Sequence, residues 1–129
     1  MATKPLTPLT LARQVLDIEL AGLKAVRSQL DAQFTAAVEI LAEALAERNK
    51  LVVVGIGKSG NIGQKIAATF NSTGATSVLL DPANALHGDI GLLDDGDVVL
   101  ALSYSGESDE LVNLLGVLKK FPVQIIGLT

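Results

Sequence analysis

Apolar residues recur at three- and four-residue steps through the first third of this chain, and thereafter gather into short β-branched runs. Leu9, Ala12, Leu16, Leu20, Leu23 and Val26 follow helical spacing, and Phe34, Val38, Leu41 and Leu45 repeat it. Two helices are therefore predicted between residues 8 and 49, with a bend at residues 28–31. Lys4-Pro5 and Thr7-Pro8 punctuate the start, after a flexible lead-in over residues 1–7. Interleaved Glu and Arg residues read as a solvated face.

The texture changes after Lys50. Strands are predicted at 51–55, 76–81, 97–103 and 123–128, alternating with helices near 60–73 and 106–120. Gly74 suits a helix C-terminus, and Pro122 follows the last helix. Residues 82–96 read as a loop with a short helical turn at Ala83–Leu86. Alternating strands and helices require crossovers and a parallel sheet. The expected fold is α/β: a Rossmann-like three-layer sandwich, with N-terminal helices at 8–49 and an α/β portion at 50–129. The final run, Gln124 to Thr129, stops where a further loop is due, so the chain is expected to be interrupted within the domain.

Two strand-to-helix junctions carry the candidate chemistry. The first, Gly55-Ile56-Gly57-Lys58-Ser59-Gly60, matches G-x-G-x-x-G, and Asp81 ends the next strand where a dinucleotide fold places its ribose-binding acid. That motif alone asks only for glycines, and a purely structural turn meets it equally well. Lys58 and Ser59 add a cation and a hydroxyl beside a helix N-terminus, which suits an anion. The second, Ser103-Tyr104-Ser105-Gly106-Glu107-Ser108, holds three hydroxyls where a helix begins. One hydroxyl is enough to cap a helix; the others are free to bind phosphate oxygens. Two such loops in one sheet point to one phosphorylated ligand held from two sides.

Composition narrows the partners. The 129 residues are 49% hydrophobic and 19% charged, enough for a globular core. With 3% aromatics and a net charge of −4, neither base stacking nor a basic surface favours nucleic acid. There is no cysteine, and one histidine with scattered acids does not make a metal site, so no metal or cofactor is expected. No apolar run approaches the ~20 residues that cross a bilayer, and no secretory signal is visible, so a cytoplasmic location without membrane attachment is expected.

Four segments carry a resemblance to the sugar isomerase (SIS) domain. They are Val53–Gly60, Ala67–Gly74, Ala85–Gly91 and Ser103–Ser108. Lys58 and His87-Gly88-Asp89 make the chain similar to the arabinose-5-phosphate isomerase group within it. The resemblance implies a phosphosugar aldose–ketose isomerase interconverting ribulose 5-phosphate and arabinose 5-phosphate through an enediol. It implies substrate binding by Gly57, Ser59, Ser103, Tyr104, Ser105, Glu107 and Ser108, and catalysis by Lys58, Glu110 and His87. It also implies a homotetramer, a following pair of CBS domains, and a further catalytic glutamate and histidine beyond Thr129. This stretch alone would then lack part of the catalytic set. Three positions depart from the family pattern. Tyr104 stands where Asn is commoner, and Asp81 and Asn84 stand where His and Glu are common.

The chemistry suits these residue types. Moving a proton between neighbouring carbons needs a base over the carbon chain and a group that stabilises an oxyanion. Glu110 lies one helical turn after Glu107, and an imidazole such as that of His87 can shuttle protons near neutral pH. The bland readings are a surface glutamate, a structural loop histidine and a solvated lysine. Three rival functions stay open: a non-catalytic phosphosugar-binding module, a nicotinamide-dependent oxidoreductase using Gly55, Gly57, Gly60 and Asp81, and a domain that binds nothing.

Overall fold

The computed structural model describes residues 7–129; the lead-in over residues 1–6 and its Lys4-Pro5 punctuation lie outside them. The chain divides into two compact units at Thr35/Ala36. The first unit holds helix α1 (Pro8–Gln29) and the start of α2 (Ala32–Ala46). Thr7 begins α1 as its N-cap, its Oγ1 accepting the Thr10 N–H at 3.2 Å, with Pro8 in the first turn. Asp31 starts α2 in the same way, accepting the Gln33 N–H at 2.8 Å. The predicted bend thus falls at residues 30–31. No residue of α1 is buried, and its apolar stripe is exposed along its length.

The second unit is an α/β sandwich. Strands β1 (Leu51–Gly55), β2 (Ser77–Leu80), β3 (Val98–Leu102) and β4 (Gln124–Leu128) form one sheet in the order β2-β1-β3-β4, and every pairing is parallel. Helix α3 (Lys58–Ser72) links β1 to β2, and α5 (Asp109–Leu118) links β3 to β4. Between β2 and β3 lie α4 (Pro82–Leu86), where a helical turn is expected, and a 3-10 turn at Asp89–Leu92, which the sequence reading leaves as loop.

Strand side chains alternate between two cores, as a sheet buried on both faces requires. Val52, Val54, Val99 and Ala101 pack with Leu111, Leu114 and Leu118 of α5 and Ala85 of α4. Leu51, Val53, Val98 and Leu102 pack on the opposite face with Ala67, Ile66 and Phe70 of α3. Ile40, Leu41 and Ala44 of α2 join this second core. The α2 stripe is therefore corrected: Phe34 and Val38 are exposed, and the buried face is rotated toward Ile40 and Ala44.

Polar groups fasten the strand ends. Asn71 pairs with the backbone of Ser77 through both halves of its amide, each at 2.8 Å, and Gly74 just past α3 takes φ +88°. At the amino ends of β1 and β3, the Lys50 ammonium lies 2.6 Å from carboxylate oxygens of both Asp94 and Asp97. Buried Asp97 also accepts backbone N–H groups from Lys50 at 3.0 Å and Asp94 at 2.8 Å.

Candidate phosphosugar site

The crossovers leaving β1 and β3 run in opposite directions: β1 passes through α3 to β2, and β3 through α5 to β4. Neighbouring strands whose connections diverge open a crevice at their carboxyl ends, where open α/β sheets bind ligands. Both glycine–serine loops sit at that point.

The first loop is compact because its glycines touch backbone. A Cβ on Gly55 would lie 2.8 Å from the Ser59 carbonyl carbon, and one on Gly60 would lie 2.9 Å from the Gly55 oxygen. Gly57 precedes α3 at φ +57°, a conformation that side chains disfavour. The helix therefore begins hard against β1, with Lys58 and Ser59 in its first turn and no acidic residue there. Among the described residues Lys58 forms no ion pair.

In the second loop the hydroxyls act differently from the simple capping expectation. Ser108 is the N-cap of α5, yet its side chain makes no capping bond. Instead, Ser103 Oγ accepts the Gly106 N–H at 2.9 Å, and Ser105 Oγ accepts the Glu107 N–H at 3.2 Å. Each of these hydroxyls accepts one bond and keeps its own hydrogen available to donate. The Ser103 N–H donates to the Leu128 carbonyl at 3.1 Å, which ties the loop to β4.

Lys58, Ser59, Ser103 and Tyr104 line one open concavity of about 250 Å³. Its remaining wall is apolar: Ile62, Leu102 and Leu128. This volume falls just below the ~300–1,000 Å³ of pockets for drug-sized ligands, so it suits a small molecule. Sequence reasoning missed the apolar wall. Ile62 is legible as one helical turn after Lys58, whereas Leu128 comes near Leu102 only because β4 pairs with β3 in that register.

The other expected site residues do not line this concavity. Gly57 and Ser108 are the N-caps of α3 and α5, neither with a side-chain capping bond, and Ser105 lies in the second loop with its Oγ on the Glu107 N–H. Glu107 and Glu110 are exposed at the start of α5. His87 ends α4, exposed, with its backbone N–H on the Asn84 carbonyl and no side-chain hydrogen bond among the described residues. Asp81, the acid of the dinucleotide reading, is engaged as the cap of α4, accepting the Ala83 and Asn84 N–H groups at 2.9 and 3.1 Å.

The fold is an open parallel sheet with two hydroxyl-bearing loops at its switch point, and residues 44–129 match the family described as the SIS domain; the chain belongs to this family. Its relatives include arabinose 5-phosphate isomerase KdsD of Salmonella typhi, 44% identical over 117 residues, which cover 91% of this chain and 35% of the relative. KdsD of Pseudomonas aeruginosa is 42% identical over 118 residues, covering 92% of this chain and 35% of the relative. The chain thus spans about a third of the length of the curated relatives it matches. Among solved structures, c3406 of Escherichia coli CFT073 in complex with A5P superposes with a TM-score of 0.76 at 34% identity, covering 95% of this chain and 65% of that one. A phosphoheptose isomerase from Francisella tularensis, at 18% identity, shares the fold with a TM-score of 0.80 over 96% of this chain and 75% of its own.

Proposed function

We propose that this chain is the sugar-binding part of an aldose–ketose isomerase acting on a phosphorylated pentose, interconverting ribulose 5-phosphate and arabinose 5-phosphate. The observation that carries the reading is the meeting of Lys58 and Ser59 from one strand-to-helix loop with Ser103 from another on a single concavity. The names borne by its relatives supply the sugar.

In this reading the phosphate rests on the serine loop and the N-terminus of α5, where free hydroxyl hydrogens and backbone N–H groups converge. Gly57, Ser59, Ser103, Ser105, Glu107 and Ser108 form its cradle. Lys58 faces the sugar and stabilises negative charge on the phosphate or on the enediolate oxygen. A base removes a proton from the carbon beside the carbonyl, the enediol forms, and the proton returns to the neighbouring carbon. We assign proton transfer to Glu110 and His87, whose exposed side chains project from segments that follow strand carboxyl ends. Gripping the phosphate away from the reacting carbons supplies binding energy for orientation.

We place residues 1–129 in one SIS domain, and the protein in the cytoplasm as a homotetramer. The exposed apolar residues of α1 support self-association, and no helix among the described residues is long and apolar enough to cross a membrane.

Calorimetric titration tests the central reading. Arabinose 5-phosphate and ribulose 5-phosphate should bind and NADH should not, and Ser103→Ala with Ser105→Ala should weaken the sugar phosphates by at least about tenfold, ~1.4 kcal/mol. NADH binding without sugar binding would overturn it. Sugar binding without turnover in the whole protein would identify a binding module instead.

A further inference from the structure

Tyr104 is a side chain of the serine loop that makes no hydrogen bond among the described residues. Its neighbours Ser103 and Ser105 turn their hydroxyls back onto the loop, while Tyr104 is 99% exposed. The backbone that carries it is pinned on both sides, by the Ser103 N–H on the Leu128 carbonyl and the Gly106 N–H on Ser103 Oγ. The loop backbone thus sets where Tyr104 is carried, and the residue lines the concavity together with Ile62, Leu102 and Leu128. A phenol left wholly in solvent forgoes the burial that its ring normally obtains. Aromatic side chains lining a concavity beside a few polar groups characterise ligand contacts.

We propose that Tyr104 is a specificity-determining residue, whose ring covers the carbon chain of a phosphosugar once its phosphate is seated on the serine loop. The proposal rests on the phosphosugar reading above. A phosphorylated sugar presents C–H groups between its hydroxyls, and these match the apolar wall on one side and the ring on the other. Inorganic phosphate offers nothing for the ring to cover. Tyr104 thus contributes to the sugar and not to the anion.

The experiment titrates the wild-type chain, Tyr104→Phe and Tyr104→Ala with arabinose 5-phosphate and with inorganic phosphate, by calorimetry. The chain has one Tyr and no Trp, so tyrosine emission reports on this ring directly. Tyr104→Ala should lose about tenfold in affinity for arabinose 5-phosphate, ~1.4 kcal/mol, with less than about twofold change for phosphate. Tyr104→Phe should restore the sugar affinity, and wild-type emission should respond to the sugar phosphate but not to phosphate. Equal losses for both ligands in Tyr104→Ala, or no loss for either, would overturn the proposal. So would a Tyr104→Phe variant as weak as Tyr104→Ala, because the hydroxyl and not the ring would then make the contact. A wild-type chain that fails to bind arabinose 5-phosphate overturns the phosphosugar reading itself, and this proposal with it.

Discussion

Gly60 shows how little room the first loop leaves. A methyl group there would sit 2.9 Å from the Gly55 carbonyl oxygen, and that oxygen belongs to a strand buried along its whole length. Neither partner can yield without moving α3 away from β1. Gly60→Ala should therefore destabilise the fold by about 1–3 kcal/mol, as overpacking does, visible as a lower urea midpoint. It should also weaken phosphosugar binding, since Lys58 and Ser59 move with the helix start. The glycine spacing reads equally well as a nucleotide fingerprint. The sequence cannot separate those meanings, because a close approach of backbone to backbone and a close approach of backbone to ligand demand the same residue.

The strands are fastened where they begin. Asp97 is buried, and burial by itself raises a carboxyl pKa; the Lys50 ammonium and the N–H groups of Asp94 and Lys50 outweigh this and hold it below the ordinary 3.8. Burial likewise opposes the charge on Lys50, but the hydrogen bonds and charges of Asp94 and Asp97 hold its pKa above 10.5. The depressed carboxyl stabilises the fold above its unfolded value and loses that contribution as pH falls through its lower folded value. The raised ammonium contributes below 10.5 and loses it as pH rises past its folded value. The clasp is thus intact across neutral pH and fails at both extremes. Asp97→Ala should cost about 3 kcal/mol near neutral pH, by leaving a half-buried ammonium short of a partner, and should flatten the acid limb of stability measured by urea denaturation. Element identity was legible from periodicity, and the strand limits agree to within a residue or so. The clasp was not: Lys50 and Asp97 are 47 positions apart, and only the β1–β3 pairing brings them together.

Helix α1 carries Leu16 and Leu23 on one face, seven residues apart and both more than half exposed. If the proposed homotetramer assembles through these residues, Leu16→Glu with Leu23→Glu should shift sedimentation toward a smaller species, while the circular dichroism of the α/β unit stays unchanged. Spacing revealed the apolar stripe but could not tell whether it faces an internal core or solvent. The candidate site was legible in its polar half, because glycines, a lysine and serines at strand ends have a local signature. Its apolar half, Leu102 beside Leu128, depends on strand order.

Because β1 and β3 are adjacent in the sheet, the distance between the two loops is fixed by a hydrogen-bonded ladder of five residue pairs and not by any side chain. Neighbouring strands lie about 4.8 Å apart in every sheet. The sheet therefore works as a ruler that mutation cannot rescale. A lineage built on this frame can change which molecule it accepts only by rewriting what the loops present at the two ends of that ruler.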